Sequence, residues 1–226
     1  MNFDDEENEP RKKLKVISVE KTLQGEGLFT GTPSIFVRLA GCSVQCSFCD
    51  EDYLELGATK YGHEALVDLI GEKLDGDIIP LVVITGGEPL EQEIGWLVGR
   101  LLFLGFRVQI ETSGAARPDK TLTRILESRS TMLHLTCSPK RGRINSVVYQ
   151  YAKSFKYVVG AAVEINDESG TPLGLALHRP GAIVCLQPMD LCDYGHNMAA
   201  LERCISLVKR YGFKLSVQLH KMIGIP

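Results

Sequence analysis

Short segments rich in apolar and β-branched residues alternate along the chain with longer segments in which apolar residues recur at helical spacing. The first two apolar segments, "KVISVEKTL" and "SIFVRLAG", predict strands, and the second is apolar enough to be buried. The next segment, "HEALVDLIGEKL", predicts a helix because one face collects its apolar residues, Leu66, Leu69, Ile70 and Leu74.

The same alternation continues through the rest of the chain. Further strands are predicted at "LVVIT", "FRVQIET", "MLHLTC", "FKYVV", "AIVCLQP" and "KLSVQLH". Helices are predicted at "EQEIGWLVGRLLFLG", near Asp119 to Leu126, near Asn145 to Ala152 and from His196 to Tyr211. Strands that alternate with helices predict a parallel sheet, which forms either a doubly wound open sheet or an incomplete barrel. Periodicity does not distinguish these two architectures.

Polar and glycine-rich motifs follow the predicted strands at their carboxyl ends. "GCSVQC", "GGEP", "ETSG", "SPK" and "QPMD" each come directly after a core strand. Parallel sheets and barrels bind ligands at this edge, because the loops after the strands converge there. The sequence therefore predicts one site built from all of these motifs.

Composition limits the class of protein. With 226 residues and 44% hydrophobic content, the chain can form one domain with a sizeable core. Residues 1–13 carry an acidic run and then a basic run without an apolar stretch, which predicts a disordered tail before a single domain at 14–226. A net charge of −3 gives no reason to expect nucleic acid or an anionic membrane as partner. No segment has the apolar length of a membrane span.

Seven cysteines, an odd number, favour a reducing compartment, so a cytoplasmic protein is expected. Three of them, Cys42, Cys46 and Cys49, have the spacing C-x3-C-x2-C. Three thiolates do not complete a tetrahedral zinc site, but they suit an iron–sulfur cluster with one iron left for another ligand. The alternative from spacing alone is a zinc site completed by Asp50, His63 or a distant cysteine.

The motifs resemble those of the radical S-adenosylmethionine (SAM) superfamily. An aromatic residue precedes the last cysteine of C-x3-C-x2-C, and "TGGEPL" resembles the superfamily's second motif. The finer resemblance is to the 7-carboxy-7-deazaguanine synthase family, in which the same pieces occur in the same order. They are "LQGEG", "FVRLAGC", the cysteine loop, "TGGEP", "ETSG", "SPK", "QPMD" and "QLHKMIGIP".

This resemblance implies an incomplete (β/α)6-type, TIM-like barrel with degenerate helices, and a homodimer. The loop "INDESGTPLG", where a helix would be expected, agrees with it. The implied cofactors are a 4Fe-4S cluster on Cys42, Cys46 and Cys49, SAM on its fourth iron, and Mg²⁺. The implied reaction is a carbon–nitrogen lyase ring contraction of 6-carboxy-5,6,7,8-tetrahydropterin to 7-carboxy-7-deazaguanine on the queuosine and 7-deazapurine pathway, with a flavodoxin-like or similar electron donor.

The resemblance also assigns residues to ligands. The segments expected to contact SAM comprise Phe48, Asp50, Gly86, Gly87, Glu88, Gly114, Ser138, Pro139, Lys140, Gln187, Pro188, Met189 and Asp190. The residues expected around the pterin are Leu23, Gln24, Gly25, Glu26, Arg38, Thr112, His220 and Pro226. Chemically, Glu26 can accept from the guanidine-like edge of a pterin, and Arg38 can pair with its carboxylate.

The chain departs from the family's pattern after Asp50. Glu51 stands where the family usually has a threonine or serine that ligates magnesium. Because a carboxylate is also a hard oxygen ligand, Glu51 is expected to take the place of that hydroxyl or to alter the metal dependence. Ser113, where asparagine is common, is expected to be tolerated. The remaining cysteines lack cluster spacing, so no auxiliary iron–sulfur centre is expected.

Two other functions remain open on sequence grounds. A small radical SAM activase, which installs a glycyl radical on a partner protein, would share C-x3-C-x2-C and "GGEP" but would not need "LQGEG", Arg38 or "HKMIGIP". A zinc-stabilised binding protein without catalytic activity would be colourless and insensitive to air.

Overall fold

The computed structural model describes residues 12–49, 57–78 and 81–225, and nine strands in these ranges form one sheet. The strands are β1 (Leu14–Leu23), β2 (Pro33–Leu39), β3 (Thr59–Tyr61), β4 (Leu81–Gly86), β5 (Arg107–Thr112), β6 (Leu133–Cys137), β7 (Ser154–Val159), β8 (Ile183–Pro188) and β9 (Lys214–Leu215). The α-helices are α1 (His63–Leu74), α2 (Gly95–Phe103), α3 (Lys120–Glu127), α4 (Ser146–Tyr151), α5 (Tyr194–Tyr211) and α6 (Leu219–Ile223).

The sheet has the strand order β3-β1-β2-β4-β5-β6-β7-β8-β9. Every neighbouring pair from β2 to β9 is parallel, whereas β1 runs antiparallel to both β2 and β3. In the described residues the sheet is open, with β3 and β9 at its edges. The predicted α/β class and the incomplete barrel are confirmed. The antiparallel direction of β1 was not predicted from the sequence.

Alternate residues of the parallel strands face the helices and form the core. On β2, Ile35, Val37 and Leu39 are fully buried in the main hydrophobic cluster, and the outward residues of the other parallel strands behave alike. Helix α1 contributes Leu66 and Ile70 to the same cluster, which confirms its predicted apolar face. The opposite face carries a small second apolar cluster and also polar side chains that line a cavity.

Two predicted elements have different bounds. The second predicted helix was expected from Glu91, but α2 begins at Gly95 because Pro89–Glu91 forms a separate 3-10 turn. Glu88 caps that turn by accepting from the Leu90 N–H.

The prediction of a last strand over "KLSVQLH" was wrong beyond the first two residues, because only Lys214–Leu215 pairs as β9. The chain then turns toward the segment after β1. The Leu219 N–H donates to the Gly25 carbonyl at 2.9 Å, and α6 begins there.

The connection between β7 and β8 contains no α-helix in residues 160–182, all of which the structure describes. The predicted degenerate helix is thereby confirmed. Tyr157, fully buried on β7, donates its hydroxyl to the Ala176 carbonyl at 2.8 Å. The loop thus covers the outer face of β7 in place of a helix.

The predicted boundary at residue 14 coincides with the first residue of β1. Residues 1–11 of the predicted tail lie outside the described residues, so the tail stays a prediction. In the described ranges, no helix combines the length and the apolar character that a membrane span requires.

Candidate active site

A cavity opens at the carboxyl ends of the parallel strands. All of the motifs predicted to form one site contribute to its wall. The predicted site residues that line it are Leu23, Gln24, Gly25, Glu26, Arg38, Cys42, Cys46, Phe48, Cys49, Gly86, Gly87, Glu88, Thr112, Ser138, Lys140, Gln187, Pro188, Met189, Asp190 and His220.

A few predicted residues are placed elsewhere. Gly114 and Pro139 do not line the cavity. Gly114 has a φ of +77°, and a methyl group there would lie 2.8 Å from the Cys137 sulfur, so it serves the packing of the turn after β5. Asp50, Glu51 and Pro226 lie outside the described residues.

The three cysteines of the loop after β2 face the same cavity. Cys42 and Cys46 are half-buried and Cys49 is exposed, and all three are free thiols. The Cys49 N–H donates to the Cys46 carbonyl at 3.2 Å, which closes the loop between them. Among the described residues, no three histidine, cysteine or acidic side chains converge as ligands of a single metal ion. Three soft sulfur donors around one opening fit the donor set of an iron–sulfur cluster.

Burial raises the pKa of the Cys46 thiol, and the nearby Lys140 ammonium opposes that rise. Lys140 donates to the hydroxyl and the carbonyl of Ser138, at 2.6 and 3.3 Å. Burial, together with the positive charge of Lys156, lowers the pKa of Lys140. Lys140 is therefore a basic side chain that faces the cysteine loop and whose charged form is disfavoured by burial.

The glycines of the turn after β4 bring its backbone directly against the backbone at the start of the cysteine loop. The Gly87 N–H donates to the Leu39 carbonyl at 2.7 Å, and the Glu88 N–H donates to the Gly41 carbonyl at 2.8 Å. Gly86 has a φ of +104°, and a methyl group on it would lie 2.4 Å from the backbone of Leu39. These glycines thus allow one loop of the cavity wall to approach another.

Glu88 is 1% exposed and joins the turns after β4 and β5. Its carboxylate accepts from the Thr112 hydroxyl at 2.5 Å, from the Ser113 N–H at 2.8 Å and from the Ser113 hydroxyl, besides the Leu90 N–H. A carboxylate has about four acceptor positions, so these bonds fill them. Thr112 in turn accepts from the Gly114 N–H at 2.9 Å.

A buried ion-pair cluster forms the floor of the cavity. Lys156 of β7 donates to one carboxylate oxygen of Glu26 and to one of Glu111, the latter at 3.2 Å. Burial by itself lowers the pKa of Lys156, but the two carboxylates outweigh it and the pKa lies above its ordinary value. The two carboxylates therefore favour the charged form of the lysine in this site.

Glutamine side chains surround this cluster. Gln24 is 1% exposed and donates to Gln109 at 2.8 Å and to Glu111 at 3.1 Å. Gln187 donates to Glu26 at 3.0 Å and accepts from Ser216 at 3.2 Å. Gln24 and Gln187, expected to contact ligands, thus also hold the cavity wall together.

The C-terminal segment forms one side of the cavity. The imidazole of His220 packs against Gly25, where a methyl group would lie 2.0 Å from its Nδ1. Lys221 forms an ion pair with Asp190 at 2.8 Å, and Asp190 also accepts from the Cys192 N–H at 2.9 Å. These bonds, Lys221 foremost, lower the pKa of Asp190 to about 2.

Arg38 lines the cavity from β2, where its side chain is 19% exposed. Its Nε lies 3.8 Å from Glu20 on β1, and its guanidinium lies 5.2 Å from the centre of the Phe36 ring. At 3.8 Å the ion pair with Glu20 is a loose one.

Several lining residues were not assigned individually from the sequence, although Glu111 and Ser113 belong to the "ETSG" motif predicted at the site. Glu111, Lys156 and Gln218 line the cavity in addition to Ser113, Thr85, Phe36, Val44 and Val158. A signal for two of them was present: Glu111 and Lys156 are charged residues inside otherwise apolar strands. A charged side chain in a buried strand is costly unless it has a partner, so such positions are candidates for a site.

Comparison with known proteins agrees with this geometry. A 7-carboxy-7-deazaguanine synthase from Rhodospirillum rubrum is 38% identical over 94% of this chain and 92% of its own length. The corresponding enzyme from Escherichia coli K12 is 34% identical over 91% of this chain and 96% of its own length. The chain belongs to the 7-carboxy-7-deazaguanine synthase family.

The fold of the family is shared as well. The crystal structure of QueE from Escherichia coli superposes with a TM-score of 0.69 at 27% identity, covering 92% of this chain and 95% of that one. No protein-family model matches the chain. Membership of the synthase family favours the synthase over the activase and over the zinc-stabilised binding protein. The roles of individual site residues stay predictions.

Proposed function

We propose that this chain is a radical SAM enzyme that converts 6-carboxy-5,6,7,8-tetrahydropterin to 7-carboxy-7-deazaguanine with loss of ammonia, in queuosine or related 7-deazapurine biosynthesis. One observation carries the proposal: the cysteine loop, the carboxylate of Glu26 and the guanidinium of Arg38 line the same cavity. Membership of the synthase family supports the choice of reaction.

Cys42, Cys46 and Cys49 would hold the 4Fe-4S cluster, since their thiols open onto the cavity. When bound, the cluster and SAM supply radical chemistry that abstracts a hydrogen atom from a carbon. The basic side chain of Lys140 would suit the carboxylate of SAM, and the carboxylate of Asp190 would suit its ammonium or its ribose hydroxyls.

The pterin would occupy the floor of the cavity. Its pyrimidine edge donates hydrogen bonds, and Glu26, a carboxylate between neighbouring glutamines, is an acceptor for that edge. Arg38 would pair with the pterin carboxylate from β2. His220 and Gly25 close the side of this space. The chain's residues thus orient one carbon of the substrate and limit access of water.

Mg²⁺ is also part of the proposal. Glu51 would be its protein ligand in place of the family's hydroxyl, because a carboxylate oxygen suits Mg²⁺. The homodimer and a flavodoxin-like or similar electron donor are also proposed from the family resemblance.

An anaerobic turnover assay tests the function. The protein is purified under nitrogen, reconstituted with iron and sulfide, and supplied with SAM, reductant, Mg²⁺ and 6-carboxytetrahydropterin. Formation of 7-carboxy-7-deazaguanine, detected by mass and lost in Cys46→Ala, is the expected result. Cleavage of SAM to 5′-deoxyadenosine without that product would support the radical chemistry and contradict the proposed identity of the substrate.

A further inference from the structure

The segment after β4, residues 87–92, is hydrogen-bonded to the chain that leads into Cys42. Besides the backbone bonds described above, Gln92 Nε2 donates to the Ala40 carbonyl at 3.0 Å and to the Lys15 carbonyl at 3.1 Å. Gln92 Oε1 in turn accepts from the Lys15 N–H at 2.8 Å. The stretch before Cys42 is therefore held by backbone groups and by a neutral amide.

On the other side of Cys42 the bond is of a different kind. Glu91, the last residue of the 3-10 turn, accepts at its Oε1 from the Ser43 N–H at 3.1 Å and from the Ser43 hydroxyl at 2.5 Å. Because Ser43 directly follows Cys42, this carboxylate is bonded to the peptide unit that contains the Cys42 carbonyl. Such bonds to a carboxylate are charge-assisted and stronger than bonds between neutral groups.

The conformation of the cysteine loop makes such an anchor useful. Gln45, between Cys42 and Cys46, has a φ of +50°, in the left-handed region that residues with a Cβ rarely adopt. Strain of this kind persists only where the surrounding structure holds it. Ser43 and Glu91 are both exposed, so water replaces their bond in the unfolded chain and its net contribution to folding is small. The bond therefore bears on the loop more than on the fold.

We propose that Glu91 is a positioning residue for the iron–sulfur cluster: through Ser43 it holds the Cys42 end of the strained loop in the conformation that turns the thiols toward the cavity. This inference rests on the proposed function, since it requires the cluster. Glu91 does not line the cavity, so it acts through the backbone beside Cys42 and not as a ligand. Its loss should therefore weaken the hold on the cluster more than the stability of the apo-protein.

The test compares Glu91→Ala with Glu91→Gln. Alanine removes the acceptor, whereas glutamine keeps the length of the side chain and a neutral carbonyl oxygen for Ser43. The matched control is Glu93→Ala, which removes a neighbouring exposed carboxylate whose ion pair, at 2.8 Å, is with Lys12.

Each protein is reconstituted anaerobically with iron and sulfide, and the release of iron to a chelator is followed by the loss of the iron–sulfur absorbance. Glu91→Ala is expected to release iron about fivefold faster than wild type or more, the effect of about one net hydrogen bond. Glu91→Gln should fall between the two, because it restores the acceptor without the charge. Glu93→Ala should stay within about twofold of wild type. Denaturant unfolding of the four apo-proteins should give equal stabilities.

A second route tests the same bond from the other side. Ser43→Ala removes the hydroxyl and keeps the N–H, so its effect on iron release should be smaller than that of Glu91→Ala. Combining the two substitutions should give no more than the effect of Glu91→Ala alone, because the hydroxyl then has no carboxylate to bind. Fully additive effects in the double variant would contradict the bond between Ser43 and Glu91.

The outcomes separate the two proposals. A wild type that takes up no iron–sulfur cluster contradicts the proposed function, and this inference with it. A wild type that holds the cluster, with Glu91→Ala releasing iron at the same rate, overturns the role of Glu91 alone. A glutamine variant as fast as the alanine variant overturns it too, since the restored acceptor then does not hold the loop. If the apo form of Glu91→Ala is destabilised or fails to fold, Glu91 serves the fold and the inference is also overturned.

Discussion

A methyl group on Gly87 would lie 1.9 Å from the carbonyl oxygen of Gly41, so the turn after β4 and the cysteine loop meet as bare backbone. The neighbouring hydrogen bond from Glu88 N–H to Gly41 fixes the same contact. The position of the cysteine loop therefore depends on a residue remote from it in sequence.

Gly87→Ala is expected to lower the free energy of unfolding by about 1–3 kcal/mol, because the added methyl group meets backbone that cannot rotate away. The iron content after reconstitution should fall with it, since the cysteine loop is displaced. Denaturant unfolding and iron analysis measure both effects.

Gly71→Ala on α1 is the control, because a methyl group there meets nothing within 4 Å. That substitution should leave stability unchanged or raise it by up to about 1 kcal/mol. Equal stability and iron content in the two variants would show that the contact between Gly87 and Gly41 is unimportant.

Thr112→Val is expected to destabilise the protein by about 1–3 kcal/mol, because Glu88 loses a donor and the Gly114 N–H loses an acceptor. Thr112→Ser keeps the hydroxyl and should remain close to wild type. Thermal unfolding of the three proteins checks this. A valine variant as stable as wild type but with a raised pterin KM would show that Thr112 contributes to substrate binding and not to stability.

Asp190 should make stability depend on pH in acid. Its pKa in the folded protein is about 2, below the ordinary 3.8, because Lys221 favours the charged carboxylate. The stabilisation is therefore present above about pH 4 and is lost as the pH falls toward 2. Unfolding free energies of wild type and Asp190→Asn should differ at pH 6 and converge at low pH. A difference that stays constant with pH would contradict the ion pair with Lys221.

The hypothesis for Glu51 predicts a changed requirement for Mg²⁺. Glu51→Thr, which restores the family's usual hydroxyl, is expected to shift the concentration of Mg²⁺ at half-maximal turnover. Glu72→Gln, an exposed residue of α1, serves as the control and should not shift it. Identical dependence of turnover on Mg²⁺ in wild type and Glu51→Thr would contradict the hypothesis.

The period of apolar residues predicted most of the core strands and helices, because strands buried against helices need apolar side chains on one face. It could not predict the antiparallel direction of β1, since a strand pattern has no direction. The segment "KLSVQLH" alternates like a strand, but its polar residues serve other contacts. Ser216 and Gln218 bond to Gln187 and Glu26, and these long-range bonds end β9 after two residues.

The edge of the sheet that carries the site was predictable from motifs after successive strands, and those motifs do surround one cavity. The cluster of Lys156, Glu26 and Glu111 was not, because its members are far apart in the chain. Only the tertiary fold shows that one ammonium faces both acids. The charged positions inside apolar strands were visible, whereas their pairing was not.

The two edges of the open sheet also bear on whether the protein aggregates by pairing strands between molecules. Edge strands expose unpaired N–H and carbonyl groups, which can recruit a strand from another molecule and start aggregation. Here one edge is the three-residue β3, with Lys60 exposed at its centre, and the other is the two-residue β9. Within the described residues, strands this short offer a foreign strand few hydrogen bonds, so β3 and β9 are themselves poor templates for β-polymerisation.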